Sequence, residues 1–368
     1  MKITAIIYFL FLTISILAFN NTQENTIPEV SIKGMELRIS SDNIDRYKCP
    51  VLIINNVLIS QMHTHYVSQL TSQEWKESNT LFCLGKGDNE FQFPTLAKGA
   101  DNSLLILDQP SIGNKLTSLT VVKETDSIEA IKEVSKWEKF SLSELPAFTL
   151  GSISFASTSE STILVSGAPY HDIKHIFSLI DYKNQKVTPL KFWPNDKVKC
   201  ENMVKHSVYA TNSQLYGNGK GRFLYQCEWS RYAFLFSIEG KNVNIIKELF
   251  SEFPKYSSAE DGRNFVFSKE SMSSETLNST ASNDKIFLLL RDSDRKGNKY
   301  MKWETPFIYG NTIVEYDWDG NKKRIIYLDH FGQDILLSED NKTLYLLTAD
   351  YSDNQIPKIW SYDLSTTK

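Results

Sequence analysis

Short apolar runs of strand length, separated by turns rich in Asn, Asp and Gly, recur along this chain from residue 50 to its end. They are too short for helices and rich in the β-branched and aromatic residues that suit a pleated surface. Five of them, at 103–108 (SLLILD), 162–167 (TILVSG), 222–227 (RFLYQC), 285–290 (KIFLLL) and 343–348 (TLYLLT), begin 59, 60, 63 and 58 residues apart. A sixth, at 51–60 (VLIINNVLIS), reads as two strands about Asn55 and Asn56, residues that accept the positive φ of a tight hairpin.

Each unit continues in the same way. The stretch 175–181 (HIFSLID) leads into Tyr182, Lys183 and Asn184; 233–239 (AFLFSIE) leads into Gly240, Lys241 and Asn242; 312–317 (TIVEYD) leads into Trp318, Asp319, Gly320 and Asn321. A returning strand follows, for example 322–328 (KKRIIYL), so the unit is an antiparallel meander with hairpin turns. Such a sheet has two apolar faces and cannot bury both alone. Radial packing of the copies solves that problem. The predicted fold is all-β, a six-bladed β-propeller with four-stranded antiparallel blades. The last unit stops at 359–364 (IWSYDL), and the alternating segment 35–39 (MELRI) is predicted to pair with that C-terminal blade and close the ring.

One helix is predicted, over 127–138 (SIEAIKEVSKWE), where Ile128, Ile131, Val134 and Trp137 recur at three-residue steps and Asp126 with Glu129 resembles a capping box. The chain begins differently. Lys2 precedes an uncharged apolar run over 3–19, after which the sequence turns polar at Asn20. Residues 1–20 read as a secretory signal with cleavage after Ala18, or as an uncleaved anchor, because Ile16 departs from a small-x-small site and a run of about 17 apolar residues is at the lower limit for a span. Residues 21–33 are expected to be a linker and 34–366 the propeller. The protein is therefore expected to be exported, to the periplasm or the cell surface, touching a membrane only through an uncleaved start.

A net charge of −4 with no cluster of Lys and Arg excludes a phosphate-tracking surface, so nucleic acid is not an expected partner. The four cysteines, Cys49, Cys83, Cys200 and Cys227, form no CxxC pair of the kind thiolate metal sites use. In an oxidising compartment Cys200 and Cys227 are the first candidates for a disulfide, and four buried free thiols are the equal alternative.

The run 85–94 (GKGDNEFQFP) resembles the G-x-G-x-x-E-F-x-x-P turn of TolB-like six-bladed propeller proteins of Gram-negative bacteria. The stretch 311–364, with its YDWDGNKKR turn, TLYLLT strand and IWSYDL ending, is similar to the C-terminal blades of that family. The resemblance spans 34–364 and implies the propeller fold and export. Many members carry a lipid-attachment cysteine after the signal; here the first cysteine is Cys49.

Candidate chemistry is sparse. Gly85, Lys86 and Gly87 open like a nucleotide loop, yet Glu90 replaces the third glycine and no helix follows. The run 217–221 (GNGKG) lacks the Ser or Thr that holds magnesium and reads as a hairpin. His171 and His175 have zinc-helix spacing but fall between strands, His63 and His65 would share one strand face, and Asp292, Asp294 and Gly297 only partly match a calcium loop, with Lys296 and Trp303 at ligand positions. Asp317 and Asp319 before Gly320 read as turn chemistry. No Gly-x-Ser-x-Gly elbow is present, and catalytic groups of a propeller would converge only in the fold. No cofactor or catalytic residue is expected. The leading expectation is a binding or scaffold protein that holds a protein, peptide or glycan at the central funnel or a loop-bearing face; the alternative is a hydrolase or lyase acting on a polysaccharide or peptide at the axis.

Overall fold

The computed structural model describes residues 27–39, 49–61, 65–70, 74–87, 89–99, 101–109, 115–148, 153–211, 213–260, 265–267, 276–292, 309–349 and 357–365. It is a six-bladed propeller. The innermost strands of blades 1 to 6 are Cys49–Ile54, Thr95–Lys98, Phe155–Ser159, Ser213–Gly217, Thr276–Ala281 and Asp334–Leu337. Each contacts the next, and the sixth contacts the first, which closes the ring. The repeated runs at 103, 162, 222, 285 and 343 are the second strands of blades 2 to 6, and Val57–Gln61 is their counterpart in blade 1.

Strand alternation places the core. Successive side chains point to opposite faces of a sheet, so a continuous apolar strand serves two seams at once. Leu105 and Leu107 pack toward blade 3, while Leu104 and Ile106 pack toward blade 1. Phe223 and Tyr225 face blade 3, and Leu224 faces blade 5. Tyr345 and Leu347 meet blade 1, and Leu344 and Leu346 meet blade 5. Six apolar clusters result, one for each seam between neighbouring blades. The seam between blades 3 and 4 is the most aromatic, with Phe177 stacked on Phe236 at 5.1 Å and meeting Tyr225 edge-on at 5.3 Å.

The N-terminal segment stitches three blades. Glu29–Ile32, in the stretch read as a linker, pairs in parallel with the outermost strand of blade 5, Lys322–Gly332. Met35–Glu36 then supplies the missing fourth strand of blade 6 by antiparallel pairing with Pro357–Asp363, and the Leu37 amide donates to the Ile359 carbonyl at 2.9 Å. Arg38–Ile39 does not continue there; it crosses to blade 1 and pairs in parallel with Glu74 and Trp75. Between the first two contacts the Gly34 amide donates to Asp329 Oδ1 at 2.9 Å. A Cβ on Gly34 would lie 2.6 Å from the Tyr362 ring, so a side chain there would force the two blades apart.

Two helices differ from expectation. The predicted one is only Ile128–Lys132, followed by a 3-10 turn at Val134–Lys136, and Glu138–Ser141 is the outermost strand of blade 2. Its cap is Ser127, whose hydroxyl accepts from the Ala130 amide at 3.1 Å, because Asp126 is turned toward Asn55 Nδ2 at 3.4 Å. A second helix, Asn202–Ala210, was not anticipated from its sequence. It lacks a side-chain cap and is rich in Val, Ser, His and Tyr, so its stability comes from burying Val204, Val208 and Tyr209 at the seam of blades 3 and 4.

Candidate functional site

The strand meander gives the ring two unlike faces. Hairpins joining first to second strands, and third to outermost strands, lie on one face; connections from second to third strands and between blades lie on the other. Every residue with positive φ among the described ones is in a hairpin of the first face: Asn55, Asn56, Asn102, Gln185 and Asn341, with Gly219, Gly221, Gly240 and Gly320. There Asn218 Oδ1 accepts from the Lys220 and Arg222 amides, and Asp317 Oδ1 accepts from those of Asp319 and Asn321, which confirms the 217–221 and 317–321 runs as turn chemistry.

The innermost strands enclose an axial cavity of about 220 Å³ that opens on this hairpin face. Across its rim Lys98 of blade 2 pairs with Glu339 of blade 6. Several charges on this face are paired. Glu315 is buried and paired with both Arg324 and Lys285, Arg222 reaches Asp319 on the next blade, and Lys323 Nζ is 2.7 Å from Asp317. Lys323 and the turn amides hold the Asp317 carboxyl down at about 2 against the opposing effect of its burial.

At the other end of the axis the pattern changes. From the cavity wall a chain of hydrogen bonds runs inward: the Ser279 hydroxyl donates to Gln226 Oε1 at 2.6 Å, with Gln214 Oε1 at 2.9 Å, and Gln226 Nε2 donates to the Leu277 carbonyl at 2.8 Å. Arg291 Nη2 donates to that same carbonyl at 2.7 Å, and Nη1 to the Gln333 carbonyl at 3.5 Å. The neighbouring Asn278 donates to Asp334 Oδ1 at 2.8 Å and accepts from the Ile335 amide. Glu228 follows Gln226 by two residues. Blades 4, 5 and 6 thus bring one guanidinium and two carboxyl groups together beside the axis.

These charges are not paired with each other. No carboxylate among the described residues forms an ion pair with Arg291, and its Nε has no hydrogen-bond partner. All three groups retain some solvent contact. Burial pushes the Glu228 and Asp334 carboxyls up, with Arg291 opposing, and pushes the Arg291 guanidinium down, with the two acids opposing. Asp108 makes the contrast plain. It ends the second strand of blade 2, at a place in the repeat close to that of Glu228, but its carboxylate accepts from the Gln92 and Phe93 amides and the Thr117 hydroxyl, which satisfies it.

The residues singled out in the sequence lie elsewhere. In the 85–94 turn, Glu90 Oε2 accepts from the Gly87 amide at 2.8 Å, so the turn's own carboxylate occupies a donor a phosphate would need; a Cβ on Gly85 would stand 1.9 Å from that oxygen. Cys200 and Cys227 both belong to the seam of blades 3 and 4 and are free thiols; Cys200 Sγ is 3.9 Å from the Tyr256 hydroxyl and Cys227 is buried in the second strand of blade 4. His171 is in a 3-10 turn and His175 Nε2 is 3.5 Å from Asp172. His65 is buried against Phe82 with both ring nitrogens unpartnered, and burial pushes it down to about 4. His63, Asp294, Lys296, Gly297, Trp303 and the apolar start at 1–20 lie outside the described residues. No group of three His, Cys, Asp or Glu side chains among the described residues is placed to hold a metal. Sequence reading missed Glu228, Arg291 and Asp334. Its one available signal was a charge just past an apolar second strand, at 228 after RFLYQC and at 291 after KIFLLL.

No family model and no curated protein matches the chain. Similar solved structures include a Bacteroides fragilis protein described as exported, at 10% identity over 90% of this chain and 98% of that one, with a TM-score of 0.49. A DUF4221 family member from Bacteroides vulgatus is 8% identical over 92% and 93%, with a TM-score of 0.48, and an auxiliary nutrient binding protein from Bacteroides ovatus is 10% identical over 89% and 76%, at 0.43. Likeness at this level transfers no role from any of them.

Proposed function

We propose that the chain is an exported binding propeller, of the TolB-like kind its 85–94 turn resembles, that holds its ligand at the loop-bearing end of the axis. The observation that carries this reading is the set Glu228, Arg291 and Asp334. Opposite charges that are partly buried, close enough to influence one another and yet unpaired destabilise a fold, and such arrangements concentrate where a ligand supplies the missing partners. The surrounding face is built from the longer connections, the usual carriers of recognition on a rigid scaffold. The apolar run after Lys2 supports export.

The test is binding of immobilised peptide and oligosaccharide arrays by the wild type and by Arg291→Ala. Loss of at least tenfold in affinity in a variant that keeps its melting temperature is the expected result. Equal binding by the two proteins would remove the ligand from the axis.

A second reading has one observation in its favour. Two carboxyls with raised pKa beside a cation are the equipment of general acid catalysis, as a hydrolase or lyase with an axial active site would use. Incubation of any bound peptide or oligosaccharide with the protein separates the two: a product whose formation is abolished by Glu228→Gln identifies an enzyme, and recovery of intact ligand identifies a binder.

A further inference from the structure

The axial cavity on the hairpin face is separate from the charges at the loop end. None of Glu228, Arg291 and Asp334 lines it, and the buried Ser279 and Gln226 lie between. Its wall is set by the ring. Each innermost strand has a neighbour on one side only, so the backbone N–H and C=O groups of its other edge point at the axis without a ladder partner. Six such edges surround the cavity and offer donors and acceptors in equal number, with no net charge. Gln214, partly exposed in the wall, meets the Ser279 hydroxyl at 2.9 Å and the Tyr216 hydroxyl at 3.3 Å through one polar atom of its amide, and the other carries no hydrogen bond among the described residues. Leu52, Leu96, Leu215 and Leu336 add apolar surface between these polar groups. Of the described residues, Lys98 and Glu339 are the only charged ones lining the cavity, and they neutralise each other across the rim.

The geometry points to a binding site for one neutral sugar, of the class of a free hexose, in this cavity. A charged ligand would either break the rim pair or lose water without gaining a partner for its charge. An apolar ligand would leave the strand edges unsatisfied. A ring of carbon bearing hydroxyls meets both kinds of surface: its C–H groups cover the leucines, and its hydroxyls donate to and accept from the strand edges and the Gln214 amide. Adjacent hydroxyls can also donate to Glu339 and accept from Lys98 with the pair intact. At about 220 Å³ the cavity is smaller than the roughly 300 Å³ at which drug-sized pockets begin, which gives room for one ring and not for a chain. The site is additional to the loop end and does not depend on the ligand proposed there.

The test uses the purified full chain and a panel of neutral hexoses and pentoses with their amino-sugar and uronic-acid counterparts, read by calorimetry and by melting temperature at millimolar sugar. One neutral sugar is expected to bind and to raise the melting temperature, and its charged counterparts to bind more weakly by about tenfold or more. Gln214→Leu and Lys98→Met are each expected to weaken the sugar by about tenfold, the size of one lost hydrogen bond. Lys220→Ala, on the same face but outside the cavity, is expected to leave it unchanged. The melting temperature without sugar shows which variants fold, and because the two cavity positions lie on different blades, failure of one leaves the other to decide. A panel without a binder overturns the site. So does a sugar bound equally by wild type and both cavity variants, and a sugar lost in Arg291→Gln alone belongs to the loop end and overturns it too. Equal affinity for the charged counterparts overturns the match to a neutral ligand.

Discussion

The two ends of the axis are made from the same six strands and treat charge in opposite ways. At the hairpin end Lys98 meets Glu339, Arg222 meets Asp319 and Glu315 is held by two cations. At the loop end Glu228, Arg291 and Asp334 stand beside one another unpaired. Tight turns fix their side chains locally, so ion pairs there help define the register of neighbouring blades. The loop end does not use its charges for that purpose, and a fold tolerates such a cost where function requires it.

The most direct way to break this contrast is to open the ring. Removal of residues 1–39 takes the fourth strand from blade 6 and exposes the places of Ile32 and Leu37, both buried in the intact protein. The expected fall in melting temperature is roughly 10 °C or more, since two buried aliphatic side chains and the pairings of three short strands with blades 5, 6 and 1 are lost together. An unchanged value in calorimetry would mean that blade 6 closes without them.

Acid tests the whole scaffold next. His65 and His206 are both pushed down to about 4 by burial, from an ordinary 6.5. Their folded pKa lies below the unfolded one, so the stability they contribute is complete above pH 6.5 and is lost as pH falls toward 4, by on the order of 3 kcal/mol each. Urea unfolding at pH 7, 5.5 and 4.5 is expected to show a falling midpoint, and a flat profile over that range would contradict it.

The axial acids act with the opposite sign. Their folded pKa is raised, so the folded protein is penalised as pH rises through it and the penalty is absent below the unfolded value. Glu228→Gln and Asp334→Asn are therefore each expected to raise the melting temperature at pH 7. The gap to the wild type should close at pH 4 even as both proteins lose stability. A variant less stable than wild type at pH 7 would show that these carboxylates serve the fold.

Lys98→Ala gives the smallest effect. Its ion pair with Glu339 is partly exposed, and such pairs are worth about 1 kcal/mol or less, so a drop of no more than ~3 °C is expected, shrinking further in high salt. A larger drop would make the rim pair a structural clamp.

How much of this was legible in the sequence follows from the range of the forces involved. The period near 60, the positive-φ Asn and Gly of the hairpins and the two-faced apolar strands are local requirements of a meander, so the sequence by itself determined the blade, its six copies and their radial packing. Helix Asn202–Ala210 was not legible, because its stability lies in contacts with two blades and not in its own residues. The crossing of Arg38–Ile39 to blade 1 was hidden for the same reason: alternation tells that a segment is a strand, and only the closed ring tells which edge is free. The axial site is the extreme case. Glu228, Arg291 and Asp334 belong to three blades and are far apart along the chain, and each alone looks like an ordinary charge beside a strand. Only the tertiary structure decides that they meet at the axis without pairing, because the energy of a buried charge depends on what surrounds it and not on its neighbours in sequence.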